Sequence, residues 1–528
     1  MPYVTDAADP ARCLRRDPIR DTLATRRLIV ASNRGPVEHR LEDGVIVKKR
    51  GSGGVVTALS AVADHTPVTW VASAMTDGDR LVARMALPGC DTTDSDHTLS
   101  TRFVVAPDHA YDKHYNVVCN PVLWFVQHGL VHLLEENRTR NHLNDAWLHG
   151  YVPVNRAFAK AIVTEASRCR TLPIVMLHDY HLYLVAKSVR RMLPNVVLHH
   201  FVHIPWPEPQ LWQWLPRNQR SEIIEGLCYN DIIGFQTRRS LKNFLASCRA
   251  FLEGAEVDFD QEQVRYQGHV ARARVYPITI DTQRVLGAAQ SPAAMRHVER
   301  LRHLCGEHTL VRVDRLDPSK NIVRGFEAFD LLLARHKGLI GKIKFLNFLV
   351  PCRTDVPEYR RYRDQALNLA RAINDRYSTD GWRPIEVFYE NNYEQALAGM
   401  QLYDVLMVNP VQDGMNLVVK EGALVNRKDG VVVLSDRAGA YDQLRRDVLP
   451  IDPLSIEQTA EALYLALTMP AEMRKQRASA LRRMIEADDI ATWLREQFDD
   501  LRPLLYPRAV PAPSANVILS RVAGSQSL

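Results

Sequence analysis

The sequence predicts an α/β protein with two doubly wound domains, each a mostly parallel sheet covered by helices, that face a central cleft. At 528 residues the chain is too long to fold around one hydrophobic core. Short runs of β-branched residues, apolar on both faces, alternate with helix-like stretches, a pattern typical of parallel sheets buried between helices. These runs form two sets of about six, so we expect one sheet in each half.

The predicted strands follow one another in two groups along the chain. Those of the first half are RRLIVASN, VTWVASA, TRFVVA, PIVMLHD, VVLHHFVHIP and DIIGFQT. Those of the second half are TLVRVDRLD, IKFLNFLVP, PIEVFYE, DVLMVNP and GVVVLSD. The connection between the halves is expected near RVYPITIDTQRV, residues 274–285. We therefore expect a flexible leader (1–25), a first domain (26–278), a second domain (279–485), a helix that packs back on the first domain (486–505) and a flexible tail (506–528).

Composition and charge narrow the class of protein. The formal net charge of +6 arises from 67 basic and 61 acidic residues dispersed along the chain, which indicates an ordinary surface and no nucleic-acid partner. The eight cysteines form no CxxC pair, as expected for reduced thiols in a cytoplasmic protein. The N-terminus lacks the apolar core of a signal peptide, and no apolar stretch is long enough for a membrane span. Assembly as a homo-oligomer stays open.

A glycine-rich loop lies in KKRGSGGVVTALSAV, residues 48–62. Such loops often bring backbone N–H groups to a phosphate. The GK[ST] ending of a Walker loop is absent, and Val56 stands where a dinucleotide fingerprint needs its third glycine. Gly53 and Gly54 therefore indicate a phosphate or sugar ligand outside both nucleotide motifs.

Polar clusters follow the predicted strands in both halves. In doubly wound sheets, ligands bind beyond the carboxyl ends of the strands. Each cluster also has an ordinary structural interpretation, such as a capping histidine or a solvated cation, but all of them point at one cleft. The clusters are SNRG (32–35), HDYH (178–181), HIPWP (203–207), RLDPSKN (315–321), RTD (353–355) and DGMNLVVKE (413–421).

A diphosphate in this cleft would need fixed cations and free helix N–H groups. Arg315 and Lys320 supply cations, and the turn Gly414–Asn416 opens a helix. Glu421, about two turns farther on, is placed to accept hydrogen bonds from a ribose diol. The DSD at residues 94–96 follows no apolar strand and is interpreted as a loop, and the 19 histidines show no metal-ligand spacing. A GxSxG elbow for serine hydrolysis is absent.

Taken in order, these motifs resemble the trehalose-6-phosphate synthase family of retaining glycosyltransferases. The resemblance covers about residues 27–500, and HDYHL and DGMNLVVKE are its most specific parts. The other motifs are SNR with a downstream GG, YNVVCNPVLW, HGYVPVNRAFA, FVHIPWP, GFQT, RLDPSKN and LSDRAGA. The resemblance implies a GT-B fold with an active site between two Rossmann-like halves. It also implies a metal-independent reaction without a cofactor, in which cations and helix dipoles neutralise the leaving diphosphate.

The resemblance assigns roles to positions of this chain. It gives the donor diphosphate to Arg315 and Lys320 and the ribose to Glu421. His178 would contact the transferring glucose near the reacting carbon, and with Arg315, Lys320 and Asp413 it makes up the catalytic set. Contacts to the donor sugar and phosphates would come from Gly53, Gly54, Asp413, Gly414, Met415, Asn416 and Leu417. The acceptor and its phosphate would be surrounded by Arg34, Tyr115, Trp124, Arg353 and the position of His149.

Two departures keep alternatives open. The family's GW element is missing from TWVASAMTDGDR, and His149 replaces the aspartate of the family's DGY element. The main expectation is transfer of glucose from UDP-glucose or GDP-glucose to glucose 6-phosphate, giving α,α-trehalose 6-phosphate. The alternatives are C–N coupling of a nucleotide-linked cyclitol to an aminocyclitol phosphate, as in validoxylamine phosphate synthase, glucosylglycerol-phosphate synthesis, and an inactive regulatory member. The presence of Arg315, Lys320 and Glu421 favours activity.

Overall fold

The computed structural model describes residues 18–23, 25–50, 67–85, 92–93, 99–134 and 140–506. Strands of the first half are β1 Leu28–Ser32, β2 Val37–Glu42, β3 Val45–Arg50, β4 Val68–Ser73, β5 Thr92–Thr93, β6 Leu99–Val104, β7 Ile174–His178, β8 Val197–Val202, β9 Ile232–Phe235, β10 Glu256–Asp258, β11 Gln263–Tyr266 and β12 His269–Val275. Those of the second half are β13 His308–Arg315, β14 Ile343–Val350, β15 Ile385–Phe388, β16 Val405–Val408, β17 Val431–Ser435 and β18 Leu449–Ile451.

Helices flank the strands throughout the described chain. The α-helices of the first half are Pro18–Leu23, Asp77–Met85, Asp108–Asp112, Trp124–Gln127, Arg140–Ala146, Val152–Ser167, Val185–Met192, Pro209–Trp212, Arg217–Cys228 and Arg238–Phe251. Those of the second half are Thr282–Ala289, Pro292–Arg302, Ile322–Arg335, Pro357–Tyr377, Tyr393–Met400, Leu417–Val425, Tyr441–Leu444, Ile456–Thr468, Ala471–Ala487 and Ile490–Leu505. Wider π-helical turns span Lys113–Leu123 and Trp147–Tyr151, and short 3₁₀ turns span Val131–Leu133, Tyr180–Leu182, Pro318–Lys320 and Lys337–Leu339.

Two sheets organise the molecule. The first has ten strands in the order β10-β11-β12-β9-β8-β7-β1-β4-β6-β5, and the second has six in the order β15-β14-β13-β16-β17-β18. Pairing is parallel in both sheets except at β5–β6, β10–β11 and β11–β12. The predicted α/β class with two doubly wound sheets is therefore confirmed, and every predicted strand is present.

The central strands are apolar on both faces because helices cover both sides of each sheet. All residues of β1, β4, β7, β8 and β9 are buried, as are those of β16 and β17. Burial of apolar side chains on both faces supplies the main stabilisation of such sheets.

The strands missed by the sequence prediction are short or polar. They are the separate hairpin β2–β3, the edge strand β5, the hairpin additions β10–β12 and the edge strand β18. β10, for example, is Glu-Val-Asp with both carboxylates exposed, so no hydrophobic pattern marks it. These elements extend the sheets at their edges and leave the central strands unchanged.

The connection between the halves is fixed by the C-terminal helix. Trp493 in helix Ile490–Leu505 donates to the backbone oxygen of Tyr276, 3.1 Å away, and the Tyr276 hydroxyl donates to Asp500 at 2.6 Å. The Trp493 ring meets Phe201 of β8 edge to face. Helix Ile490–Leu505 thus lies against the first sheet after the chain has completed the second. The predicted domain boundaries themselves stay a prediction.

Among the described residues, no helix combines the length and apolarity required to cross a bilayer.

Candidate functional site

The candidate site lies where the strand order of each sheet reverses. In the first sheet, β4 and β6 lie on one side of β1, while β7, β8 and β9 lie on the other. In the second, β14 and β15 lie on one side of β13, while β16, β17 and β18 lie on the other. Loops at such switch points diverge and leave a crevice at the carboxyl ends of the strands. Four of the six predicted clusters follow β1, β7, β13 and β16, at the two switch points, and the other two follow the neighbouring strands β8 and β14.

A pair of buried charges marks the second switch point. The Lys320 ammonium donates to the Asp413 carboxylate, joining the turn after β13 to the turn after β16. Burial disfavours both charges, yet the charge of Lys320 holds the pKa of Asp413 below its ordinary value. The neighbouring carboxylates of Asp413 and Asp314 likewise raise the pKa of Lys320 despite its burial. Lys320 is therefore fixed as a cation in the cleft.

Arg315 differs from Lys320 because its side chain is 41% exposed. Its guanidinium lies 5.2 Å from the centroid of the Trp124 ring and 3.8 Å from the Asp317 carboxylate. An arginine with exposed N–H donors and an ordered base is suited to a bidentate contact with a phosphate.

The turn Asp413–Leu417 requires its particular residues. Asn416 adopts a left-handed conformation at φ 74° and caps helix Leu417–Val425 by accepting from the Val419 N–H at 3.3 Å. A Cβ at Gly414 would lie 1.9 Å from the backbone oxygen of His203, so only glycine lets this turn approach the first half so closely. Met415 is buried in the apolar core. The turn therefore directs the N-terminus of the helix, with its free N–H groups, into the cleft.

Glu421 lies one turn into the same helix. Burial raises the pKa of its carboxyl to about 7, and the Tyr393 hydroxyl, which donates to it at 3.4 Å, acts in the opposite direction. A carboxylate in this position, with one weak donor, retains lone pairs for the hydroxyl groups of a ligand.

Asp317 joins the two halves of the molecule. Its fully buried carboxylate accepts from Trp124 Nε1 at 3.1 Å and from Arg353 Nη1 at 3.2 Å. Burial would raise the pKa of Asp317, but the charges of Arg353 and Arg315 lower it to about 2. Trp124 belongs to the first half and Asp317 to the second, so their hydrogen bond crosses the cleft.

Arg353 is enclosed by the groups that it contacts. Its guanidinium lies 4.0 Å from the centroid of the Trp124 ring, and it donates to the hydroxyl of Tyr180 at 3.1 Å and to that of Tyr359. Its side chain is 7% exposed, and its backbone is left-handed at φ 47°. A left-handed backbone is energetically unfavourable for a residue with a side chain, and such strain often marks functional sites.

Arg34 and Tyr115 form the opposite wall. The rings of Tyr111 and Tyr115 stack with centroids 5.7 Å apart, and Tyr115 stacks on His181 at 5.9 Å. Burial would lower the pKa of Arg34, but its hydrogen bond and charge interaction with Tyr115 raise it. Burial, His114 and then the charges of Arg353 and Arg34 lower the pKa of His181. His181 therefore lies within reach of both arginine charges, one from each half.

His178 ends β7 as a buried, neutral imidazole. Burial and the nearby His203 lower its pKa well below the ordinary value. Its Nδ1 lies 3.1 Å from His203 Nε2, and its Nε2 is buried without a hydrogen-bond partner in the part of the chain that the structure describes. The backbone of His203 also lies against Gly414, so His178 is close to the turn Asp413–Leu417.

Asp179 follows His178 in an unusual conformation. Its φ of 73° and ψ of 174° are sterically costly for a residue with a side chain. Burial raises the pKa of its carboxyl to about 7, and Oδ1 has no hydrogen-bond partner among the described residues. The HDYH motif therefore contains a second polar group held at the cleft, which the sequence prediction left without a role.

The structure brings most of the predicted residues that it describes together, but it leaves His149 apart. His149 is 66% exposed, and the ion pair it makes is with Asp145 at 3.9 Å on the same face of its helix. Gly53 and Gly54 lie outside the described residues, as does the DSD segment at 94–96. In the described ranges, no group of three or more His, Cys, Asp or Glu side chains is arranged to hold a metal ion.

Sequence reasoning missed several residues that the structure adds to the site. Asp317 and Tyr180 occur inside the quoted motifs RLDPSKN and HDYHL. The motifs therefore pointed to these two residues, but the sequence analysis assigned them no role. Gln236, in GFQT, and His203, in FVHIPWP, contact each other between β8 and β9. Tyr359 lies at the start of helix Pro357–Tyr377 and carried no motif signal.

Comparison with known proteins agrees with this geometry. The sequence profile described as glycosyltransferase family 20 matches residues 26–503. A UDP-forming alpha,alpha-trehalose-phosphate synthase from Botryotinia fuckeliana is 31% identical over 462 residues, which cover 86% of this chain and 84% of that protein.

Two solved structures share the fold over most of this chain. The trehalose-6-phosphate enzyme from E. coli, bound with UDP-2-fluoro glucose, superposes with a TM-score of 0.76 at 27% identity, over 90% of this chain and 99% of that one. A UDP-forming alpha,alpha-trehalose-phosphate synthase from Burkholderia xenovorans, in complex with glucose-6-phosphate, gives 0.76 at 27% identity, over 90% and 100%. The chain belongs to glycosyltransferase family 20, the family of the trehalose-6-phosphate synthases, and has their GT-B fold.

Proposed function

We propose that this protein is a retaining glycosyltransferase that transfers glucose from UDP-glucose to glucose 6-phosphate, giving α,α-trehalose 6-phosphate and UDP. The observation that carries the proposal is the meeting of Lys320, Asp413 and Arg315 at one switch point with His178 and Arg34 at the other. The sequence left UDP and GDP open as donor. UDP is chosen because the similar protein from B. fuckeliana is UDP-forming and the E. coli structure holds a UDP-sugar.

The donor is assigned to the second half. Arg315 and Lys320 hold the diphosphate, and the N–H groups at the start of helix Leu417–Val425 add the positive end of its dipole. The turn of Asp413, Gly414, Met415, Asn416 and Leu417 lies along the sugar and phosphates. Glu421 accepts from the ribose hydroxyls as a carboxylate. Gly53 and Gly54 are proposed to approach the donor phosphates from the first half.

The acceptor is assigned to the first half, with its phosphate between Arg34 and Arg353. Both arginine charges reach His181, which supports a shared anion site beside that ring. Tyr115 stacks on His181 and offers its hydroxyl from the wall of the cleft. Trp124 is 6% exposed, so we assign it mainly to the orientation of Arg353 and Arg315 through its ring face.

The reaction follows from this placement of charge. The acceptor hydroxyl attacks the anomeric carbon from the face that the diphosphate leaves, so the configuration is retained. The bond between the anomeric carbon and the phosphate oxygen breaks, the new glycosidic bond forms, and the leaving phosphate oxygen takes the hydroxyl proton. Arg315 and Lys320 stabilise the charge that develops on the leaving group. The two halves of the cleft hold the reactants at the required distance.

The alternatives are less well supported by the geometry. The cyclitol-coupling branch was suggested by the strand in TWVASAM, and the departure at His149, which bears on the choice of acceptor or donor sugar, has an exposed side chain that pairs with Asp145. An inactive regulatory role is disfavoured because Lys320 and Asp413 form a buried pair directed into the cleft. Localisation in the cytoplasm, assembly as a homo-oligomer, and the boundaries 26–278, 279–485 and 486–505 stay predictions.

A panel of substrates tests the proposal. The purified full-length chain is incubated with UDP-glucose or GDP-glucose, each with glucose 6-phosphate or glycerol 3-phosphate, and nucleotide release and product mass are followed. We expect a trehalose phosphate mass and UDP release with UDP-glucose and glucose 6-phosphate. A folded protein that binds UDP but releases none with either acceptor would contradict the proposal and favour the cyclitol-coupling branch.

A further inference from the structure

A chain of hydrogen bonds runs from the connection between the halves to His178. The Ile278 N–H donates to Gln236 Oε1 at 2.9 Å. Gln236 Nε2 lies 3.4 Å from His203 Nδ1, and His203 Nε2 lies 3.1 Å from His178 Nδ1. Gln236 directly follows β9 and His203 directly follows β8, so neighbouring strands of the first sheet set these distances. The chain ends at His178 Nε2, which is buried and has no partner in the described residues.

The first hydrogen bond of this series decides which group donates and which accepts in all the later ones. A buried backbone N–H without an acceptor costs roughly 1–3 kcal/mol, so the amide oxygen of Gln236 must face Ile278. The amide nitrogen, which can only donate, then faces His203 Nδ1. His203 therefore accepts at Nδ1 and has its proton on Nε2, and His178 in turn accepts at Nδ1.

Both imidazoles are neutral, which makes the tautomer a meaningful quantity. Burial lowers the pKa of His203 to about 3, and burial also lowers that of His178. Each neutral ring has one N–H proton. The hydrogen bond made by one ring nitrogen decides which of the two nitrogens has that proton.

We propose that Gln236 and His203 are positioning residues that hold His178 as the tautomer with its proton on Nε2, so that this nitrogen donates a hydrogen bond to an oxygen of the transferring sugar. The proposal rests on the proposed function, since it takes the ligand in the cleft to be a nucleotide-linked sugar. A donor at this position assists the reaction only if its hydrogen is in place before the sugar arrives, because reorientation inside the cleft would cost free energy.

The substitution Gln236→Glu reverses the chain while retaining its shape. A carboxylate accepts from the Ile278 N–H as before, but it can only accept from His203. His203 then places its proton on Nδ1, its Nε2 becomes an acceptor, and His178 donates from Nδ1. The Nε2 of His178 loses its proton and would face a sugar oxygen with a lone pair. The variant Gln236→Met is the matched control, since it retains the volume and removes every preference for direction.

The tautomer is measured directly in the unliganded full-length protein. Long-range ¹H–¹⁵N spectra of ¹⁵N-histidine-labelled protein separate protonated from unprotonated ring nitrogens, and His178→Gln identifies the signals of His178. We expect a protonated Nε2 in the wild type, an unprotonated Nε2 in Gln236→Glu, and a mixture in Gln236→Met. A wild-type His178 with its proton on Nδ1 would overturn the proposal. This result does not depend on turnover, so failure of the proposed function is detected separately by the substrate panel.

Turnover provides the second readout. At saturating substrates, kcat of Gln236→Glu should fall on the order of 10- to 100-fold, and Gln236→Met should fall less, as for other residues that orient a functional histidine through its distal nitrogen. The thermal midpoint of Gln236→Glu should fall below that of the wild type because position 236 is buried, while the retained bond to Ile278 keeps the variant folded at the assay temperature. Wild-type kcat in Gln236→Glu would contradict the proposal.

The pH profile separates a reversed hydrogen bond from a damaged fold. Protonated His203 donates from both nitrogens, so acid restores the wild-type direction toward His178. The ratio of variant to wild-type kcat should therefore rise as pH falls. The titratable groups around His203 in the wild type are His178, His199, His200 and Asp179, and the variant adds the carboxyl at position 236. Protonation of that carboxyl gives it an O–H that donates to His203 Nδ1, so it restores the wild-type direction as well. A ratio independent of pH would indicate a structural defect and overturn the proposed direction.

Donor analogues identify the oxygen that accepts. A series of UDP-glucose analogues, each with one sugar hydroxyl replaced by hydrogen, is compared in the wild type and in Gln236→Glu. Removal of the accepting oxygen should slow the wild type but leave the variant unchanged, since the variant has already lost this hydrogen bond. Equal slowing of both proteins by every analogue would exclude a bond from His178 to a sugar hydroxyl.

Discussion

Arg34 and Arg353 are proposed to hold the same phosphate, yet their surroundings differ. Arg34 is exposed, and it interacts with the Tyr115 side chain through a hydrogen bond and with the charge of Glu38. Arg353 is enclosed by Trp124, Tyr180, Tyr359 and Asp317. Arg34 can therefore adjust to a ligand, while Arg353 binds it from a fixed position and also connects the halves. The comparison indicates that the second half is arranged in advance and the first half completes the site around it.

The largest effect on activity is expected at the buried ion pair of Lys320 and Asp413, which is preorganised in the second half. Lys320→Ala removes the cation of the buried pair and leaves the Asp413 carboxylate uncompensated in the cleft. We expect kcat/KM for UDP-glucose to fall on the order of 10³-fold, the upper range for loss of one stabilising group. Lys342→Ala is the matched control, because Lys342 is 56% exposed and pairs with Glu307 outside the cleft. Initial rates of UDP release measure both, and wild-type activity in Lys320→Ala would refute the donor assignment.

The two arginines themselves provide the second prediction. Arg34→Ala and Arg353→Ala should each raise KM for glucose 6-phosphate on the order of 10²-fold, from the loss of a charge-assisted hydrogen bond. Arg353→Ala should also lower the free energy of unfolding by about 3 kcal/mol, because it breaks a buried ion pair with Asp317. Rates at varied acceptor concentration and thermal unfolding measure the two effects.

Arg40→Ala is the control for Arg34, since Arg40 is exposed and pairs with Glu38, a residue that also faces Arg34. If Arg34→Ala destabilised the protein as much as Arg353→Ala, the contrast between an adjustable and a fixed arginine would be wrong.

Glu421 predicts a pH dependence of donor binding. Burial raises the pKa of its carboxyl to about 7, so the unliganded protein loses the charged form as pH falls through this value. The ribose hydroxyls donate to the carboxylate, so affinity is highest above pH 7 and declines below it. At pH 6 about one tenth of the sites are charged, and the dissociation constant of UDP should rise about tenfold over its value at pH 8. Calorimetric titration measures it.

Glu421→Gln should bind UDP weakly at both pH values, and its dissociation constant should not show the tenfold change between pH 8 and pH 6 that we expect for the wild type. A wild-type dissociation constant that is equal at pH 6 and pH 8 would exclude Glu421 as the ribose acceptor.

The smallest effect concerns the bond across the cleft. Trp124→Phe retains an aromatic face for Arg353 but removes the Nε1–H that Asp317 accepts. We expect a loss of about 1–2 kcal/mol in the free energy of unfolding and a weaker hold of the two halves. Trp147→Phe is the matched control, because Trp147 is buried and donates to Glu222 within the first half.

Small-angle X-ray scattering of both variants, without and with UDP, measures the separation of the halves. A wider particle in Trp124→Phe alone is the expected result, and equal dimensions in both variants would show that this bond does not hold the cleft.

The fold could be predicted because buried central strands have a hydrophobic pattern that can be recognised in the sequence. β1, β7 and β16 are apolar on both faces, and polar residues begin where each strand ends. The rule that ligands bind at strand ends then selected Arg34, His178 and Asp413 without a structure. Short polar strands such as β10 carry no such pattern, because neither face is buried.

The contacts within the site could not be predicted because they depend on distances between distant segments. Nothing in the sequence states that Asp317 accepts from Trp124, 193 positions away. His149 illustrates the opposite case, in which alignment with a family motif assigned a role. The π-helical segment Trp147–Tyr151 buries Trp147 and Tyr151 and leaves the His149 side chain exposed.

The backbone at Ile278 has one further consequence. Its N–H is held by Gln236 of the first half, while its carbonyl oxygen accepts at 3.2 Å from Lys420, which also pairs with Asp488. Between these two anchored peptide planes there are only two free torsions, φ and ψ of Ile278. A rotation of one half against the other that keeps both anchors must therefore be absorbed in those two angles or be transmitted to Gln236 and Lys420. Ile278 therefore couples the two halves through two torsions, with Gln236, His203 and His178 on one side and Lys420 of helix Leu417–Val425 on the other.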